Sequence, residues 1–304
     1  MWSQKTGIAI VTFLRWAGLN RFKFLDWRRR KGTKNQHNSP VPRSHWIADW
    51  ERQAIIEAYP DHVRDGYRRF AYILLDIGEV CVSPSTVYRV LSDADLLRHW
   101  NRKVSSKGTG FIQPLRPHAH WHIDISYLNI SGTFYFLCSV LDGCSRAILV
   151  WDIQSSMPEG SIEIILQRAL EKYPGHNPRV ISDNGPQFIA RDFKEYIRVS
   201  GMTHVRTSPY YPQSNGKIER WHGTLKQDCI RPKTPLTLDD ARRVVGEFID
   251  HYNNVRLHSA IGYITPAAML EGRLAAITAE RTEKLELARQ RRMRQVEIPF
   301  AKSG

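Results

Sequence analysis

Three acidic residues stand where a folded chain has little structural use for them. Asp124 interrupts the β-branched stretch HWHIDISYLNI, with Ile123 and Ile125 directed to one face and Asp124 to the other. Asp is depleted in strands, and an ionised carboxylate in a sheet centre is costly without a compensating cation. Asp183 closes the apolar run of RVISDNGPQF just before an Asn-Gly turn, where Pro186 is placed to open a helix. Glu219 is a lone acid among basic and aromatic neighbours in SPYYPQSNGKIERWHGTLK, with 35 residues between it and Asp183. Taken singly, Asp124 also reads as a solvent-facing strand position and Asp183 as a turn former. Taken together, a strand-borne, a strand-end and a helix-borne carboxylate can converge on one edge of a mixed sheet as hard oxygen ligands for Mg²⁺ or Mn²⁺.

The surrounding pattern supplies such a sheet. HWHIDISYLNI, TFYFLCSVLD and SRAILVWDI read as three consecutive strands of an antiparallel meander, with SG and DGCS as turns. An amphipathic helix through Ile162, Ile165, Leu166, Ala169 and Leu170 follows, then a short strand RVIS, a helix from Phe188 to Val199 and a last strand THVRT. Strands followed by β/α alternation imply a mixed sheet covered by helices. Beyond Glu219, a helix with Leu238, Ala241, Val245, Phe248 and Tyr252 on one face and a charged helix over 274–294 close the chain.

Upstream the patterning is helical and the charge basic. The 304 residues carry 44 Lys+Arg against 30 Asp+Glu, a formal charge of +14 that favours polyanionic partners. The apolar run over 7–14 is too short to span a bilayer and Arg15 interrupts it, so the chain reads as cytoplasmic and nucleoid-associated, with no membrane partner. Four cysteines without C-x-x-C spacing or a His pair at zinc-finger distance indicate neither a zinc site nor a disulfide framework and read as buried thiols. Ile55, Ile56 and Tyr59 mark one short helix, and Val63, Tyr67, Phe70, Ala71 and Leu74 a second, which Gly78 ends. Ser83 as N-cap and Pro84 at the first position open a third helix. Val87, Val90 and Leu91 face inward on it, and Ser85, Thr86 and Arg89 outward. That is how a helix-turn-helix presents itself to a major groove, although an ordinary helical bundle has the same pattern. The run Arg28, Arg29, Arg30 and Lys31 is placed to grip phosphates. The expected organisation is a basic helical segment over 1–45, a helix-turn-helix region over 46–100, a linker over 101–117, a catalytic core over 118–232 and a helical extension over 233–304.

HIDIS, SDNGPQF and SNGKIERWHGTLK resemble, in order and in spacing, the three blocks of the D,D,E transposase and integrase core, a ribonuclease H-like fold. The chain most resembles the second-frame transposase of copy-out, paste-in bacterial insertion sequences. The resemblance runs from Trp121 to Leu270 and includes LDGCSRAILVW and YNNVRLHSAIGYITPAAML; GYRRF and VSPSTVYRVL resemble that family's helix-turn-helix region. It implies that Asp124, Asp183 and Glu219 hold two divalent ions, Mg²⁺ or Mn²⁺, for in-line displacement at phosphorus. The chemistry is cleavage at element ends and strand transfer into target DNA by a 3′-hydroxyl. It also implies a homo-oligomer on DNA, with an upstream-frame protein as partner or fusion.

Lys226 shares a helical face with Glu219, His222 and Gly223, about 10 Å beyond Glu219. Family members resemble this chain in carrying Lys or Arg at that offset, so Lys226 reads either as holding a phosphate of the DNA end or as a solvated lysine on a basic helix. His122 and His222 read as polar packing or DNA-backbone contacts ahead of metal ligands, and Asp142 and Asp152 as structural. Tyr210 and Tyr211 are placed either to stack on unpaired bases or to pack the loop. The His-His-Cys-Cys zinc module of retroviral integrases is absent from the sequence, so end recognition rests on the helical N-terminus. The rival reading is a non-catalytic DNA-binding regulator derived from a transposase.

Overall fold

The computed structural model describes residues 5–32, 46–97, 114–206 and 215–297. Tyr210, Tyr211 and most of the expected linker lie outside them. The chain divides into two compact units, residues 1–46 with 293–304, and residues 47–292. In the first, α1 (Ile10–Trp16) and α2 (Arg21–Arg29) are short helices, and Asn20 caps α2 by accepting the Phe22 N–H. Arg28, Arg29, Arg30 and Lys31 are exposed as expected. Asp26 pairs with Arg29 and Arg30, so half of this basic run already faces a carboxylate.

The second unit begins with three helices, α3 (Asp49–Ala58), α4 (Gly66–Ile77) and α5 (Pro84–Asp93). Gly78 ends α4 in the left-handed region at φ 77°, which a side chain would strain. The Ser83 hydroxyl then accepts the Thr86 N–H to cap α5. Val87, Val90 and Leu91 pack with Ile55, Phe70 and Leu74 in one core. Ser85 and Arg89 are exposed, whereas Thr86 is half-buried and accepts a 3.3 Å bond from Arg89. Val63 departs from expectation. A 3₁₀ turn over Tyr59–His62 precedes α4, and left-handed Gly66 sets where the helix begins, so Val63 stays outside it and exposed.

The sheet follows the expected plan. Strands β1 (His120–Ile130), β2 (Thr133–Asp142) and β3 (Ile148–Gln154) form the antiparallel meander, and β4 (Arg179–Ser182) and β5 (Thr203–Arg206) add in parallel on the other side of β1. The order β3-β2-β1-β4-β5 puts β1 at the centre of a mixed, helix-covered ribonuclease H-like sheet. Because side chains alternate along a strand, β1 feeds two cores. Trp121 and Ile123 pack on one face with residues of α6 (Glu159–Lys172) and α7 (Arg191–Val199). Leu128 and Ile130 pack on the other with α8 (Gly216–Leu225) and α9 (Leu238–Asn254). The single helix expected over 188–199 is two, a turn over Pro186–Ile189 and α7, because Ala190 between them is extended at φ −54°, ψ 151°. The four cysteines are free thiols; Cys138, Cys144 and Cys229 are buried, and Cys81 only half-buried.

Helix α10 (Leu274–Glu297) ties itself to the helical bundle through charge. Arg281 grips both Asp76 carboxylate oxygens at 2.7 Å, donates to the Gly262 and Tyr263 carbonyls and lies over the Tyr72 ring. Arg292 forks onto Glu51, which is 3 % exposed, and also donates to the Cys81 carbonyl. No described helix is long and apolar enough to cross a membrane. Removing one partner of a buried ion pair strands the other, so Arg292→Ala is expected to cost about 3 kcal/mol. The paired Arg292→Met/Glu51→Gln change should cost less than the single one. Urea unfolding of the three variants measures this, and a double variant weaker than Arg292→Ala would contradict it.

Candidate active site

The acidic centre is built where β1, β4 and α8 meet. Asp124 points to the α8 side of β1, opposite Trp121 and Ile123, and is half-buried. Ser139 on β2 lies directly across from it, on the same face. His122 pairs with Ile181 in the parallel register of β1 and β4, so two residues further Asp183 follows β4 at the level of Asp124. Asp183 caps its own turn by accepting the Gly185 N–H at 3.0 Å. A side chain at Gly185 would meet that same carboxylate oxygen at 3.0 Å and Phe188 at 3.3 Å, so close approach requires glycine there.

Glu219 sits in the first turn of α8, where the helix dipole favours a negative charge. Ile218, Trp221 and Leu225 bury the opposite flank of α8 in the core and leave Glu219 exposed. Partial loss of solvent raises the Glu219 carboxyl above its ordinary value; the negative charges of Asp124 and then Asp183 raise it further, while His222 opposes them. The three carboxylates therefore feel one another. His222, one turn along and buried, fixes the best-placed of them: its Nδ1 lies 3.4 Å from Asp124 Oδ2 and its Nε2 2.9 Å from the Ser139 hydroxyl. A proton on Nδ1 given to Asp124 leaves Nε2 to accept from Ser139.

Hard carboxylate oxygens without a thiol among them are the donor chemistry of Mg²⁺ or Mn²⁺, and their mutual repulsion fits a cation between them. Among the described residues, however, no three His, Cys, Asp or Glu side chains are grouped tightly enough to hold one ion. Coordination would require the three to close from their present separation.

Other expected residues fall elsewhere. Lys226 is half-buried and begins a π-helical turn over Lys226–Ile230, so the regular spacing that aligns it with Glu219 ends at Lys226 itself. Arg89, Ser85 and Thr86 lie on α5, and Arg28 to Lys31 in the other unit. Asp142 is structural, fully buried and accepting from His118, Cys144 and Ser145 backbone N–H groups.

Several residues near the acids carry no signal of their own in the sequence. Ser139 is an unremarked polar position in an apolar strand. Lys217, within the quoted motif, donates to the Gly143 carbonyl at 2.9 Å, and burial followed by the Arg146 charge brings its ammonium down to about 8. His258 is held by its N–H on the Ile264 carbonyl. Burial, then the charges of Arg146, Arg256, Arg69 and Arg220, push its imidazole down to about 4.

Residues 114–212 and 200–266 each match an integrase core domain family. The IS476 insertion-element protein of Xanthomonas euvesicatoria is 28% identical over 70% of this chain, and the match spans 62% of that protein. The IS2 transposase InsD of Escherichia coli is 26% identical over 68% of this chain and 74% of its own. A simian T-cell lymphotropic virus intasome aligns with a TM-score of 0.48 at 18% identity, over 62% of this chain and 67% of that one.

The His258 environment makes stability depend on pH. Its folded value of about 4 lies below the ordinary 6.5, so below pH 6.5 the unfolded chain binds a proton that the folded chain does not. Stability should fall as pH drops from 6.5 towards 4, by an amount on the order of a few kcal/mol. His258→Gln should flatten urea midpoints measured between pH 7 and pH 5. An unchanged slope would show that His258 does not titrate in this way.

Proposed function

We propose, from the premise that this chain belongs to the D,D,E transposase and integrase family, that it is a DNA transposase which cuts the ends of an insertion element and joins them to target DNA. The observation that carries this reading is the level placement of Asp124 and Asp183 on neighbouring parallel strands, with Glu219 within electrostatic range of both. Two Mg²⁺ or Mn²⁺ ions held by these three residues would supply Lewis-acid stabilisation of the attacking and departing oxygens. The nucleophile is water in the cleavage step and a DNA 3′-hydroxyl in the joining step.

The chain's own groups prepare that reaction. His222, its ring oriented by the Ser139 hydroxyl, holds Asp124 Oδ2 while Oδ1 accepts the Ile125 N–H, so both carboxylate oxygens are fixed. Lys226, further along the same helix, holds a phosphate of the DNA end. Exposed Arg89, with Ser85 and Thr86, reads base edges from α5, where an arginine fork matches guanine. Arg28, Arg29, Arg30 and Lys31 grip phosphates irrespective of sequence, and Tyr210 and Tyr211 stack on unpaired bases at the strand end. The active species is an oligomer on DNA in the bacterial cytoplasm, with an upstream-frame protein as partner or fusion. A purely DNA-binding regulator has no use for three neighbouring carboxylates, which repel one another in the absence of a cation.

Asp124→Asn, Asp183→Asn and Glu219→Gln should each lower cleavage and joining of an element-end duplex by about 10²-fold or more, and leave end binding intact. Ca²⁺ should permit binding with little reaction, because its looser coordination holds the reacting oxygens less well. Gel assays of binding, cleavage and joining decide the matter. Binding lost in parallel with chemistry in all three variants, or full turnover in chelator, would oppose the assignment.

A further inference from the structure

Beside Glu219 opens a cavity of about 570 Å³ with a strongly basic wall. Arg69 reaches it from α4, Arg146 from the turn after β2, Lys217 and Arg220 from α8, and Arg256 and His258 from the segment after α9. These come from four separate stretches of one compact unit, so the cluster exists only in the folded chain. Asp65 neutralises Arg69 at 3.0 Å and Asp228 neutralises Arg256 at 2.9 Å. Buried Asp142 offsets part of the Arg146 and Lys217 charge, and Glu219 is the only carboxylate on the cavity wall among the described residues. The guanidinium of Arg220 makes no hydrogen bond or ion pair among the described residues, and its side chain is exposed.

A second observation, independent of charge, concerns Trp221. It lines the same cavity and is 2 % exposed, yet its indole N–H finds no acceptor among the described residues. Indole nitrogen is a donor only, and a buried donor left unmade costs free energy until an acceptor arrives. Clustered cations with reduced access to water carry the same sign of cost, visible in the depressed value of His258. An anion rich in acceptor oxygens offsets the clustered charge, and satisfies the indole N–H once the atoms covering it shift aside. Guanidinium forks and an indole N–H are complementary to phosphate. The volume suits a nucleotide-sized group rather than a lone ion.

The geometry points to this cavity as a phosphodiester site for the DNA strand running through the acidic centre, holding a backbone phosphate next to the scissile one. It rests on the transposase reading and adds to it a strand path. Glu219 belongs both to the acidic group and to the cavity wall, and phosphates follow one another along a duplex strand about every 3.4 Å of axis. A strand whose scissile phosphate lies at the carboxylates thus brings its neighbour, one or two nucleotides away, to Arg220 and Arg146. The cavity joins the two halves of the unit. Arg69 belongs to the helical bundle, and its Nε also donates to the Leu257 carbonyl, beside His258.

The test uses the full chain in Ca²⁺, where binding is read without chemistry. A duplex carrying the inverted repeat that flanks the gene is made with one neutral methylphosphonate linkage at a time across the cleavage position. With wild type, one linkage beside the cleavage position should weaken binding roughly tenfold. With Arg220→Gln, an exposed and mild change, the same linkage should matter less than about twofold, and Arg220→Lys should retain part of the sensitivity. Asp124→Asn should keep the wild-type pattern, since this site does not depend on the acids. End binding with an identical methylphosphonate profile in wild type and Arg220→Gln would overturn the cavity assignment alone. A wild type that does not prefer the end duplex over random DNA would overturn it together with the transposase reading. Inorganic phosphate or a mononucleotide that binds wild type as tightly as the duplex, and is weakened by Arg220→Gln, would assign the cavity to a small free anion instead and overturn the strand path.

Discussion

Like charges held within electrostatic range of one another must be compensated, and the arrangement of this chain follows from that constraint. Asp183 follows β4 at the level of Asp124 on β1, and the packing of Ile218, Trp221 and Leu225 sets α8 so that Glu219 lies within electrostatic range of both. A central strand that feeds apolar residues to cores on both faces fixes where Asp124 stands. Raising of the Glu219 carboxyl by its two neighbours is the electrostatic signature of that confinement. It gives the centre an appetite for cations, to which the fold itself adds only the His222 Nδ1 beside Asp124.

The complementary feature is positive. An overall charge of +14 is distributed so that cations line the cavity next to the acids, where they are held close to one another by packing and by carbonyl bonds rather than by carboxylates alone. On the proposed function, opposite potentials side by side suit a DNA strand whose metal-bound phosphate is followed by free ones. Helix α10 matters here for a mechanical reason. Its Arg281 and Arg292 lock α3 and α4 through Glu51 and Asp76, and so hold Arg69 and the α5 helix within one compact unit with the sheet.

Much of this architecture is legible in the sequence because it is written in local periods. β-Branched and aromatic composition between the SG and DGCS turns marked β1 and β2, the cap Ser83 and the breaker Gly78 marked α5 and the end of α4, and the three acids out of place stand where β1, the end of β4 and α8 meet. What escaped is non-local or conformationally subtle. Ala190 has helical propensity, and nothing in its type announces the extended backbone that splits the helix. The π turn at Lys226 likewise leaves no mark on the spacing that precedes it. Ser139 matters only because register sets it opposite Asp124. Arg69, Arg146, Arg220 and Arg256 share a wall through tertiary folding alone, and no periodicity links them.

Direct metal binding bears most closely on the claim that Asp124, Asp183 and Glu219 act as one site. Titration of Mn²⁺ into the DNA-free chain, followed by the loss of free-ion electron paramagnetic resonance signal, reads it without reference to activity. Wild type should bind the ion, and Asp124→Asn, Asp183→Asn and Glu219→Gln should each weaken binding by roughly tenfold or more. Mn²⁺ binding that is unchanged in all three variants would contradict the account.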